Sequence, residues 1–153
     1  MNTEVEIQFA LDTPSLPTIE QVQTWVETAL AQYSTHFSMC IRIVDTDESQ
    51  ALNNEYRGKD KPTNVLSFPF EMPDCVTVET EILGDLVICA PVVSQEASEQ
   101  NKALFDHWAH MIIHGTLHLL GFDHIKDAEA EEMEQLERDI LAKLNIADPY
   151  LIQ

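Results

Sequence analysis

The sequence predicts an α+β domain, a small mixed four-stranded sheet with helices packed on it. Three observations point there. Short stretches alternate apolar with polar residues, and longer ones repeat apolar residues at helical spacing. Pro, Gly and Asp punctuate the joins between them.

Val5, Ile7, Phe9 and Leu11 alternate with polar neighbours, so residues 4–11 read as a half-buried strand, broken by Pro14 and Pro17. Thr18, with Gln21 three residues on, makes a capping box. Ile19, Val22, Trp25, Val26, Ala29, Leu30 and Tyr33 then follow helical spacing and predict a first helix. Phe37, Met39, Ile41 and Ile43 mark a second strand. Residues 45–48 supply caps for a short second helix ending near Tyr56 and Gly58. A polar loop over residues 57–63, closed by Pro62, leads to a short strand from Asn64 to Phe68 that Pro69 stops. Pro73 and Asp74 predict a loop over residues 71–80. Ile82 to Cys89 reads as a fourth strand with Gly84 and Asp85 inside it. Pro91 fits the first turn of a third helix. Lys102 to Leu120 predicts a long fourth helix. Asp127 to Leu144 predicts a final amphipathic one, with Met133, Leu136, Ile140 and Leu144 inward and a solvated acidic face.

With 153 residues the chain is expected to form one domain, residues 1–153, long enough to bury a core. Its net charge of −19 argues against general adhesion to nucleic acid or anionic membrane, so any polyanion must be gripped locally. Three of its eight Lys and Arg residues fall in one cluster, Arg57, Lys59 and Lys61. Cys40, Cys75 and Cys89 form no CxxC pair and read as reduced, buried thiols. No apolar run is long enough to span a bilayer, and residues 1–13 lack the pattern of a signal peptide. A cytoplasmic protein without membrane attachment is the expectation.

The most informative stretch is His114-Gly-Thr-Leu-His118-Leu-Leu-Gly121-Phe-Asp-His124. His114 and His118 are four apart, on one helix face. Gly121 can end that helix in the left-handed conformation, and His124 can return to the same point. Three His ligands suit zinc and leave a fourth position for water, although nickel, iron or copper also take imidazole. The spacing is that of the metzincin signature, except that Gly115 stands where those proteases carry the Glu that activates water. Peptide hydrolysis by that route is not expected. His107 and His110 continue the helical spacing and read as surface or hydrogen-bonded core histidines.

A second stretch precedes this motif: Asn53-Asn-Glu-Tyr-Arg57-Gly-Lys59-Asp-Lys61-Pro-Thr-Asn-Val-Leu-Ser67-Phe-Pro-Phe70. The two stretches, with Gly84-Asp85 in a strand between them, closely resemble the YbeY family of bacterial endoribonucleases, also called ribosomal RNA maturation factors. The resemblance covers essentially the whole chain. It implies a zincin-like α+β fold, one Zn²⁺ held by His114, His118 and His124, and a functional arginine at Arg57. It also implies cleavage of single-stranded RNA. The family's roles are maturing the 3′ end of small-subunit ribosomal RNA and ribosome quality control, with the ribosome or its proteins as partners.

In such a site zinc lowers the pKa of bound water to about 7 and polarises a phosphoryl oxygen. The Arg57 fork suits the charge that gathers on non-bridging oxygens. Arg57 and His114 are therefore the expected catalytic residues. Lys59, Lys61, Ser67 and Asp85 are the further expected substrate contacts. Asp is unfavourable in strands, so Asp85 either hydrogen-bonds locally or faces the site. The general base stays open between Asp85, Asp123, zinc hydroxide acting alone, and attack by the RNA's own 2′-OH. Two rival readings are a zinc peptidase with a displaced base and a ribosome-associated assembly factor with a structural metal.

Overall fold

A computed structural model describes residues 3–33, 36–69, 80–121 and 127–150. The elements in chain order are β1 (Glu4–Phe9), α1 (Ile19–Leu30), β2 (His36–Val44), α2 (Thr46–Arg57), β3 (Val65–Pro69), β4 (Thr80–Cys89), α3 (Ala90–Glu99), α4 (Leu104–Leu119) and α5 (Asp127–Lys143). Of the expected loop over residues 71–80, residues 71–79, Cys75 among them, lie outside the described residues, as do Asp123 and His124, while Thr80 begins β4.

The sheet is four-stranded in the order β1-β2-β4-β3. β1 and β4 run parallel to β2, and β3 pairs antiparallel with β4, so the sheet is mixed as expected. Local chemistry sets the element ends. Thr18 Oγ1 accepts from the Gln21 N–H at 3.1 Å while the Thr18 N–H donates to Gln21 Oε1 at 2.8 Å, closing the capping box. Asp45 accepts from the Thr46 N–H at 2.7 Å and starts α2. Gly58, at φ +70°, ends α2 in the left-handed conformation.

Most elements differ from the sequence reading by one or two residues at an end, and two of the differences have a clear cause. The first helix stops at Leu30 rather than Tyr33, because Tyr33 leaves the helix and packs edge-on against Phe37, with ring centroids 5.8 Å apart. Pro69 is the last residue of β3 rather than the residue beyond it. β3 lies at the sheet edge, where a residue without an N–H leaves no ladder bond unmade.

Side-chain alternation sorts the two faces. Met39, Ile41, Ile43, Leu86 and Ile88 share the main core with Val22, Trp25 and Val26 of α1, Trp108, Ile112, Ile113 and Leu117 of α4, and Met133, Ile140 and Leu141 of α5. The other face carries a smaller cluster of Val44, Leu66, Val87 and Cys89, with Leu52 of α2, Phe68 and Val92 against it. α4 comes very near the sheet: a Cβ built on Gly115 would sit 2.8 Å from Leu86 Cδ2 and 3.3 Å from Val65 Cγ2. Of the described cysteines Cys40 is half-buried and Cys89 buried, and both are free thiols. No described helix is long and apolar enough to cross a membrane.

Candidate metal centre

α4 carries His107, His110, His114 and His118 in one row, as three- and four-residue steps require. Successive ring centroids are 6.1, 6.1 and 4.6 Å apart. His114 Nε2 and His118 Nε2 lie only 3.1 Å from each other. Two nitrogens bound to tetrahedral zinc at about 2.0–2.1 Å are roughly 3.3 Å apart. The pair therefore has the spacing of two ligands on one small ion. Beyond His118 the helix closes with the Gly121 N–H donating to the His118 carbonyl at 3.0 Å, and Gly121 takes a positive φ of +106°. That turn is the one the sequence predicts. His124, the third expected ligand, is outside the described residues.

The side chain behind His114 comes from α5. Glu137 is 0 % exposed, and its Oε1 lies 2.5 Å from His114 Nδ1. The Tyr150 hydroxyl donates to Glu137 Oε2. His110 Nε2 sits 3.2 Å from the Tyr150 hydroxyl and 3.4 Å from Glu137 Oε1. Burial pushes the Glu137 carboxyl upward, but the hydrogen bonds and charges of His110 and His114 outweigh it and hold its pKa at about 2. Burial first, and then the bond to Glu137, raise the Tyr150 hydroxyl. Glu137 is thus an ionised, acceptor-only group compensated by two hydrogen-bond donors, His114 and Tyr150, with the His110 ring beside them. His110, His114 and Glu137 also lie near enough together to offer ligand atoms to one ion, a second cluster that shares His114 with the first.

The expectation that the acidic face of the last helix is solvated fails at Glu137. The sequence signal was its position: four residues after Met133 and three before Ile140, it falls in the apolar stripe of α5. The neighbouring acids Glu129, Glu131, Glu132 and Asp139 are exposed, as expected. The sequence reading also missed Tyr150, which no periodicity marks. His107 and His110 are hydrogen-bonded core histidines, with His107 Nε2 3.0 Å from Glu96 Oε1.

The remaining expected site residues occupy other places. Arg57 is exposed at the C-terminal end of α2, with no hydrogen bond or ion pair to another described residue. Lys59 and Lys61 are exposed on the loop that follows. That loop is pinned to α2. Asn53 Nδ2 donates to the Lys61 carbonyl at 2.8 Å, Ser49 Oγ donates to the Thr63 carbonyl at 3.0 Å, and Gln50 Nε2 donates to Asp60 Oδ1 at 2.9 Å. Ser67 pairs with Leu86, so it shares the sheet face that packs on α4. Asp85 is exposed and points from the opposite face, into a groove with Cys40, Arg42, Tyr56 and Phe68. The structure therefore brings His114 and His118 together and does not bring Asp85 to them.

A mixed sheet backed by a helix that presents converging imidazoles defines an α+β protein of zincin-like architecture with a metal-binding helix. Residues 6–145 match the family described as Endoribonuclease YbeY, and the chain belongs to that family. It is 59% identical to Endoribonuclease YbeY of Colwellia psychrerythraea (strain 34H), over 97% of each chain. The solution structure of TM1509 from Thermotoga maritima is similar over 92% of this chain and 91% of that one, with 25% identity and a TM-score of 0.60.

Proposed function

We propose that residues 1–153 form one catalytic domain, a zinc-dependent endoribonuclease that cuts single-stranded RNA. Its substrate is ribosomal RNA in the cytoplasm, where it matures the 3′ end of the small-subunit species and serves ribosome quality control. The ribosome or its proteins present that substrate. The observation that carries this reading is the 3.1 Å approach of His114 Nε2 to His118 Nε2, in a chain 59% identical to a named endoribonuclease.

His114, His118 and His124 would hold the ion. When bound, it would supply a Lewis acid for a phosphoryl oxygen and a water of lowered pKa. The protein's own residues do the rest. Glu137 keeps the His114 ring fixed. Arg57 offers a planar fork of donors to the non-bridging oxygens of the scissile phosphate. Lys59 and Lys61 add local positive charge to a chain that otherwise repels RNA, and Ser67 lies on the α4 side of the sheet. Asp85 takes a more distant contact with the strand, since its groove is on the other face.

The test uses single-stranded RNA and the same sequence as a duplex, with and without a zinc chelator, alongside His118→Ala. Cutting of the single strand alone, lost on chelation and in His118→Ala, is expected. Undiminished RNA cutting after chelation, or cutting of a peptide pool instead of RNA, would overturn the reading. A 2′,3′-cyclic phosphate on the product reports attack by the 2′-OH, and its absence reports attack by water.

A further inference from the structure

We propose that Glu137 is a positioning residue: anchored by Tyr150, it accepts from His114 Nδ1–H and so turns the unprotonated Nε2 of His114 toward His118. This rests on His114 and His118 as zinc ligands, and it distinguishes Glu137 from a ligand in its own right.

The argument begins with what a buried carboxylate can do. Glu137 has no access to water, so it survives as a charge only where donors surround it. Its two oxygens are already engaged, one by His114 Nδ1 at 2.5 Å and the other by the Tyr150 hydroxyl. His110 Nε2 lies 3.4 Å from Oε1 and is hydrogen-bonded to the Tyr150 hydroxyl that holds Oε2. A carboxylate can only accept, so the proton of the short contact sits on His114 Nδ1. A neutral imidazole carries one ring proton. With it on Nδ1, Nε2 is left with a lone pair, and Nε2 is the atom that lies 3.1 Å from His118 Nε2. Carboxylates placed behind metal-binding histidines fix tautomer and ring orientation in this way and raise the basicity of the far nitrogen.

The same contacts argue against Glu137 and His110 joining His114 in a separate ligand set for the ion. An ion there would have to displace the Nδ1 proton and compete with the tyrosine hydroxyl for the same carboxylate. It would also abandon the Nε2 pair. Tyr150 has a defined part: its hydroxyl donates to Glu137 and accepts from His110 Nε2. It thereby stops the carboxylate from rotating off His114.

Histidine-labelled full-length protein tests this without metal or RNA. Nitrogen shifts should report His114 with a protonated Nδ1 and a bare Nε2 in the metal-free wild type, and a protonated Nε2 overturns the proposal. Chelator competition then reads Zn²⁺ affinity. Glu137→Gln should bind Zn²⁺ about 10- to 100-fold more weakly, with Glu137→Asp recovering part of the loss. Unchanged affinity in Glu137→Gln overturns the proposal. So does X-ray absorption showing a carboxylate oxygen on the Zn²⁺ of the wild-type protein. Should the protein fail to cut RNA while His114 keeps the expected tautomer, the nuclease reading falls and the positioning role stands.

Discussion

Leu86 occupies the space that a side chain on residue 115 would need, its Cδ2 lying 2.8 Å from where a Cβ would stand. The glycine that replaces the protease glutamate is therefore a packing requirement as well as a missing base. It lets α4 settle on Leu86 and Val65, and that contact sets the height of the histidine row above the sheet.

Gly115→Glu is expected to destabilise the fold by several kcal/mol, because it forces a carboxylate against buried Leu86 without a partner. It should yield no peptidase. Urea unfolding and hydrolysis of a peptide pool check both halves, and a stable, proteolytic variant would revive the peptidase reading.

Arg57→Ala should lower RNA cleavage by about 10²-fold, the usual cost of removing a group that stabilises transition-state charge. Its melting temperature should not move, because Arg57 is exposed and unpaired among the described residues. Activity within about twofold of wild type would remove Arg57 from the mechanism.

Asn53→Ala addresses the loop rather than its charges. Asn53 is buried and donates to the Lys61 carbonyl. Its loss leaves that carbonyl unpaired and should cost about 1–3 kcal/mol. Faster hydrogen exchange over residues 58–63, with reduced cleavage, is the expected signature.

Chelation should abolish cleavage and leave the fold standing. The core built on Ile41, Leu86, Trp108 and Ile112 owes nothing to an ion. Far-ultraviolet circular dichroism before and after zinc removal makes the comparison. Collapse of the helical signal would favour a structural metal in an assembly factor.

Stability should fall as pH drops below about 6.5, the unperturbed histidine value. Burial lowers the pKa of His107, and its bond to Glu96 only partly opposes this. Between the unfolded value and the lowered folded one, the unfolded chain binds the extra proton. The stabilisation from neutral His107 is therefore full above the unfolded value and is lost as pH falls toward the folded one. Urea midpoints at pH 7.5 and 5.5 measure the slope, which should flatten in His107→Gln.

Much of this architecture is legible in the chain because its signals are local. Thr18 and Gln21 announce α1, Asp45 and Gly58 bracket α2, and alternation in β2 needs no tertiary information. His114 and His118 are legible for the same reason, being one helical turn apart. Glu137 is hidden by its surroundings: six of the other residues from Asp127 through Asp139, both ends included, are also acidic, and only the apolar stripe marks the one that turns inward. Tyr150 is hidden by distance, since its partner His110 lies 40 residues away in sequence. Asp85 stands out in the chain because strands disfavour Asp, but only strand pairing tells which face it takes. The register with Phe68 puts it on the other face.

The hydrogen bond from Tyr150 to Glu137 gives the last described turn of the chain a stake in a centre whose imidazoles were laid down long before it. A nascent polypeptide still missing that tyrosine would have its histidine row in place but no clasp behind it.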